Sequence, residues 1–161
     1  MRRKDREVTE RAEILRIVDQ AKILHLGLFD GEYPYVVPLH YGYRYDEKED
    51  SLVFIMHGAK EGHKLDLIRR NPKVCIELEC GVEPVSGGEI ACRYGAVYMS
   101  VMGRGWAEIV EDSAEKREGL KLLMQVQTGR EFAIDEKMAA TVAVIKVTVP
   151  EFTAKARTMP V

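Results

Sequence analysis

The spacing of apolar positions changes several times along the chain, and each change predicts a new element. Ile14, Leu15, Ile17, Val18 and Ala21 recur at helical spacing within Thr9 to Ala21, with Thr9 in the position of an N-cap. From Lys22 to Phe29 the pattern alternates. Leu24, Leu26 and Leu28 fall on one face, while Ile23, His25 and Gly27 fall on the other, which predicts a strand. Asp30-Gly31 signals a tight turn into a second alternating run, where Tyr35, Val37, Leu39, Tyr41 and Tyr43 share a face. Pro38 lies inside that run, so the strand is interrupted, bulged or at a sheet edge there. A polar turn over 46–50 precedes a short apolar strand, Ser51 to Met56, which ends in a small-residue loop over 57–62. A short helix from His63 to Asn71 follows, with Leu65 and Ile68 inward and Pro72 stopping it. Lys73 to Glu79 alternates as a strand, and residues 81–96 read as a long irregular loop. Val97 to Val110 is a long strand, and Asp112 opens a helix that Gly129 closes. Val142 to Val149 is the last β-rich run before a short tail.

The strands are linked by turns rather than interleaved with helices. The expected fold is therefore mainly β, an antiparallel barrel or sheet with flanking helices. The 161 residues carry no linker-like stretch and read as a single domain, 1–161. The net charge of −2 disfavours bulk nucleic-acid binding, and the charged residues over 1–8 read as a solvated basic arm. No apolar run reaches the ~18–20 residues that span a bilayer. The first residues lack the apolar stretch of a secretory signal. With three cysteines that cannot all pair, a reducing, cytoplasmic setting is expected.

Four places offer chemistry. In the run from His57 to Lys64, a strand ends, two glycines let a ligand approach the backbone, and a helix begins beside Lys60 and Lys64. That is either a phosphate cradle or a plain glycine-rich turn, and it lacks the spacing of a nucleotide-triphosphate loop. In the strand around Gly103 and Gly105, alternation puts Val97, Met99, Val101, Gly103, Gly105 and Ala107 on one side. That side is either a narrow apolar slot for a flat ring or subunit, or a barrel bend needing small residues. The His57/His63 and Cys75/Cys80 spacings do not match zinc sites, so no metal is expected, and Cys75 reads as a buried small hydrophobe. The tyrosines between Tyr33 and Tyr45 read as core or subunit contact. No Ser–His–Asp or Cys–His nucleophile context is present.

Three longer stretches carry a resemblance: L-G-L-F-D-G-E-Y-P-Y-V-V-P-L-H-Y-G-Y (26–43), H-G-A-K-E-G-H-K-L-D-L-I-R-R-N-P-K-V-C (57–75) and Y-M-S-V-M-G-R-G-W-A-E-I-V (98–110). In these the chain resembles the pyridoxamine-5′-phosphate-oxidase-like FMN-binding split-barrel proteins. Within them it is most similar to the 5-nitroimidazole-resistance group. The resemblance implies a six-stranded antiparallel split barrel, paired as a homodimer with FMN in the grooves between subunits. It implies that Val37, Pro38 and Leu39 on one strand and Phe54, Ile55, Met56 and His57 on another flank the flavin ring. Lys60, His63 and Lys64 would hold the phosphate, and Ser100, Val101, Met102 and Gly103 would line the groove, from the same subunit or from the other one. His57 would be the active-site histidine, a proton donor or ring contact. The implied activity is FMN-dependent reduction of a small acceptor such as a nitroimidazole or other nitroaromatic, with NAD(P)H as one possible donor. The arginine-rich substrate motifs of the oxidase proper are lacking, which argues against oxidation of pyridoxamine phosphate. A non-catalytic flavin- or haem-binding module is the alternative, and a purely structural dimer is a third reading.

Overall fold

The computed structural model describes residues 3–158. After a 3-10 turn at Lys4–Arg6 come β1 (Glu7–Val8), α1 (Arg11–Gln20), β2 (Ile23–Phe29), β3 (Pro34–His40), β4 (Gly42–Asp46) and β5 (Ser51–Gly58). There follow α2 (His63–Arg70), β6 (Lys73–Val85), β7 (Gly95–Val110), α3 (Ser113–Thr128), α4 (Glu136–Ala139) and β8 (Ala143–Arg157). Every strand pairing is antiparallel, in the order β3-β2-β6-β7-β8-β5-β4, with β1 added to β8. The two edge strands, β3 and β4, are joined through one residue, Tyr41. In a flat sheet, six strand spacings of ~4.8 Å would hold them roughly 29 Å apart. The sheet therefore curls until β3 approaches β5, but the two do not pair. The result is a split barrel with flanking helices.

The alternation read from the sequence sets its interior. Leu24, Leu26 and Leu28 of β2, Phe54 and Met56 of β5, Ile76 and Leu78 of β6, and Ile145, Val147 and Val149 of β8 are buried together. Ile14, Ile17 and Val18 of α1 and Leu65, Leu67 and Ile68 of α2 join this core. A second, smaller core forms outside the barrel, where Leu120 of α3 packs with Val53 and Ile55 of β5 and Val144 of β8. Tyr41 is fully buried at the β3–β4 corner, with its hydroxyl 2.6 Å from the Val18 carbonyl oxygen and 2.7 Å from that of Ala21.

Several expectations need correction. The sheet has eight strands rather than six, because the tyrosine-rich run divides at Tyr41 and a two-residue strand forms near the start. Of the three readings of Pro38 the edge-strand one holds: β3 lies at the edge of the sheet, which tolerates a residue without an N–H. Thr9 is not the N-cap of α1. That position is Glu10, and no side chain caps it. Residues 3–8 are mostly exposed, and the arm is tied down at its end, where Glu7 and Val8 pair with β8; Met1 and Arg2 lie outside the described residues. Residues 81–96 are not one irregular loop. β6 and β7 extend into them as a long hairpin, with a register shift between Cys80 and Glu83. Likewise β8 continues eight residues beyond Val149. Pro150 is tolerated because it falls where the β7–β8 register shifts, with no ladder partner of its own. Cys75 is exposed, pointing outward from β6 beside Gly27, while Cys80 turns inward against α1. At Gly103 and Gly105 the β7 backbone packs tightly on β8: a methyl group at Gly103 would collide with the Val149 side chain, and one at Gly105 with the Thr148 carbonyl, which supports the bend reading, while Gly105 also lines a cavity on the outer face.

Candidate functional site

The split between β3 and β5 is the one expected site that the fold assembles from both of its strands. β4 pairs with β5 only as far as Gly42 opposite Ile55. Beyond that point the chain has turned away into β3, so Met56, His57 and Gly58 keep their ladder to β8 but have no β4 partner. β3 is bonded to β2 along one edge, and its other edge faces the same gap. Two lines of backbone polar groups thus flank the cleft, and the start of α2 closes one end.

That helix start is open to an anion. Gly62 holds the N-cap position at φ +142°, a conformation that side chains rarely adopt, and no side chain caps the helix. Leu65 is the first residue to bond back within the turn, its N–H donating to the Gly62 carbonyl at 2.9 Å. The amides of His63 and Lys64 precede it and have no helical acceptor. Lys64 folds back over the end of β5: a β-carbon on Gly58 would lie 2.9 Å from its Cε and Nζ. Gly58 is therefore the cradle for the lysine. Neither Lys60 nor Lys64 enters an ion pair among the described residues. His57 lies within electrostatic reach of both His40 and Lys64. Desolvation of its ring, then these two neighbours, hold its pKa below the ordinary histidine range, so it is neutral at pH 7.

The remaining residues fall in different places. His63 turns toward the β2–β3 turn: its Nε2 is 2.6 Å from Asp30 Oδ2, and its ring packs edge-on to Tyr35 with centroids 5.1 Å apart. Arg70 also reaches Asp30, at 3.5 Å. The Asp30–His63 link ties α2 to the hairpin, a role that sequence spacing alone could not reveal. Val37 and Leu39 are half-buried toward the barrel and Pro38 faces out. Phe54 and Met56 point into the core, and Ile55 lies in the second core beside α3, so these three can offer a ligand only backbone. Lys60 is exposed in the loop. Ser100, Val101, Met102 and Gly103 sit on β7, separated from β3 by β2 and β6. Val101 is buried in the core and Met102 is exposed outward. Within one chain these four do not meet the split.

The outer face of β2, β3, β6 and β7 is unusually apolar. Phe29, Val36, Met102 and Trp106 are each at least half exposed there, at 61%, 57%, 52% and 50%. A cavity of about 850 Å³ lies between them, lined by Gly27, Phe29, Tyr33, Val36, Cys75 and Trp106 among others. No described helix is long and apolar enough to cross a membrane.

Comparison with known proteins follows this geometry closely. Residues 10–156 match the family model described as pyridoxamine 5′-phosphate oxidase. A candidate 5-nitroimidazole antibiotic resistance protein from Bacteroides thetaiotaomicron superposes with a TM-score of 0.78 and 32% identity, over 93% of this chain and 86% of that one. The flavocytochrome Anf3 from Azotobacter vinelandii superposes with a TM-score of 0.80 at 21% identity, over 99% and 73% of the two chains. The FAD and heme binding protein from Mycobacterium smegmatis does so with a TM-score of 0.79 at 16% identity, over 97% and 76%. Comparison with curated protein sequences gives no match.

Proposed function

Because the chain belongs to the pyridoxamine 5′-phosphate oxidase family, we propose that it is an FMN-dependent oxidoreductase that works as a homodimer. Its acceptor is a small electron-poor molecule such as a 5-nitroimidazole or another nitroaromatic, with a nicotinamide nucleotide as electron donor. The observation that carries this reading is Lys64, held across Gly58 without a carboxylate partner, beside the uncapped amides of His63 and Lys64. These groups suit a phosphate monoester, which gains charge-assisted hydrogen bonds from an ammonium and free N–H groups together. Lys60, in the loop before α2, adds positive charge at the same end.

FMN bound there would supply the electron transfer. The chain's own part is to hold and surround it. Along β3 near Pro38 and along β5 over 56–58, the backbone groups that do not point to β2 or β8 are free to meet the polar edge of a ring. His57, neutral at pH 7, offers one ring N–H donor and one acceptor to the ligand or the acceptor molecule. The apolar outer face, where Phe29, Val36, Met102 and Trp106 are exposed, supports pairing with a second copy. Pairing would bring a partner's Ser100–Gly103 stretch toward this chain's split and exclude water from it.

The test begins with the visible spectrum of the purified protein and a fluorescence titration with FMN. Tight binding is expected, and Lys64→Ala should weaken it by about 10- to 100-fold, the loss of one hydrogen bond to a charged group. Absence of FMN uptake, or an unchanged affinity in the variant, overturns the phosphate assignment. Turnover is then followed as NAD(P)H oxidation on adding a nitroaromatic.

A non-catalytic haem-binding module is the second reading. It is favoured by His40 and His57 lying within reach of each other at the split, and by two structural neighbours whose names include a flavocytochrome and a haem-binding protein. A Soret band on haem addition that is lost in His57→Ala would favour it over the flavin enzyme.

A further inference from the structure

Away from the split, His25 on β2 and Glu77 and Glu79 on β6 converge on the outer face of the sheet. His25 is paired opposite Glu77, and the two glutamates are two apart, so the pleat puts all three side chains on one side. The His25 Nδ1 lies 3.2 Å from Glu77 Oε2 and 3.7 Å from Glu79 Oε2, and the three ligand atoms all fall within 4.8 Å of one another. We propose that His25, Glu77 and Glu79 bind a first-row divalent metal ion, best matched by Zn²⁺.

The spacing is that of a coordination sphere as well as of an ion pair. With metal–ligand bonds of about 2.0–2.2 Å, donor atoms around a tetrahedral ion sit roughly 3.3–3.5 Å apart. The two distances from Nδ1 bracket that range. One imidazole with two carboxylates is a donor set of mixed hardness that suits Zn²⁺ and Mn²⁺, with Zn²⁺ the tighter. Three protein ligands leave a fourth position for water.

Glu77 is partly buried beside Glu79, and the two carboxylates face His25 and each other with their nearest ligand atoms within 4.8 Å. Three groups sum to a charge of −2 when His25 is neutral. Pro38 and Met102 hold the register positions on either side, opposite His25 and Glu77, and neither can neutralise that charge. Both ligand strands lie inside the sheet, with neighbours on each side, so the ligands sit on a rigid support. The same face carries the apolar patch, and a divalent ion would cancel the charge that a covering partner would otherwise bury. The inference does not depend on the flavin reading, since its readout is metal uptake.

The test is calorimetric titration of purified protein, dialysed free of metal, with ZnCl₂, repeated with CoCl₂ followed by its visible d–d absorption. Saturable uptake of one Zn²⁺ per chain is expected. His25→Ala and Glu77→Gln should each weaken it at least tenfold, while Cys75→Ser, which removes the exposed thiol one register step away, leaves it unchanged. Circular dichroism confirms that each variant is folded. No saturable uptake would show an ion-paired histidine only, and would overturn the proposal. So would uptake that survives in a His25→Ala/Glu77→Gln double variant or disappears in Cys75→Ser.

Discussion

At the level of single residues, two side chains show how different environments set opposite roles. Tyr41 is fully buried, and its hydroxyl is the polar partner of two α1-end carbonyls, those of Val18 and Ala21. Tyr41→Phe keeps the ring but leaves both oxygens without that donor. It should cost about 1–3 kcal/mol, read as a drop in thermal midpoint of about 2–4 °C per kcal/mol. His57 is the reverse case, a group whose surroundings oppose its charge. Its folded pKa lies below the unfolded value, so protonation favours unfolding. Stability contributed by neutral His57 is whole above the unfolded value of about 6.5 and declines as pH falls through it toward the folded pKa. Urea midpoints measured between pH 7.5 and 5.5 should therefore fall less steeply in His57→Gln than in the parent. An anion bound at Lys64 should narrow the difference, because it removes part of the repulsion on the imidazolium.

Elements show both what pattern reveals and what it hides. The stop of α2 at Pro72 and the Asp112 cap of α3, which accepts the Glu115 N–H at 2.8 Å, were legible because each depends on residues a few places apart. Lys64 could be singled out from sequence for the same reason, since the proposed anion site is local to one loop and one helix start. The long strands were not. Gly81, Pro84 and Pro150 look like breakers, yet β6 and β8 pass through them: register shifts absorb Gly81 and Pro150, and Pro84 sits opposite Ala96 where β6 has left β2 and has β7 on one side alone. The His25–Glu77–Glu79 cluster was hidden more deeply: its members are 52 residues apart and meet only through the β2–β6 register. The β7–β8 shift gives a direct test. Gly105 lies where a β-carbon would overlap the Thr148 carbonyl, a backbone atom that cannot swing aside. Gly105→Ala should destabilise the protein by about 1–3 kcal/mol or more, seen as a lowered urea midpoint with little change in the slope.

For the whole molecule, the decisive feature is that one chain leaves the split between β3 and β5 open and its outer face apolar. Trp106, on β7 opposite Lys73, lies on that face, half exposed beside the cavity. Trp106→Glu places a charge where a second copy would press. Sedimentation should show a dimer for the parent and a monomer for the variant. Flavin affinity should fall when pairing is lost, although Trp106 lies outside the phosphate end. A parent that sediments as a monomer while binding FMN tightly would separate cofactor capture from pairing.

β8 is the seam of the molecule. The strands β3, β2, β6 and β7 form one run of the sheet, β5 and β4 another, and only β8 stitches them together, with β1 attached to it as well. It is also the last strand in chain order. During synthesis at roughly 5–20 residues per second, a ribosome that has released everything before residue 143 presents two unjoined ribbons with open edges. The barrel cannot close progressively from its N-terminal side: both ribbons wait for residues 143–157, and one strand then zips them together.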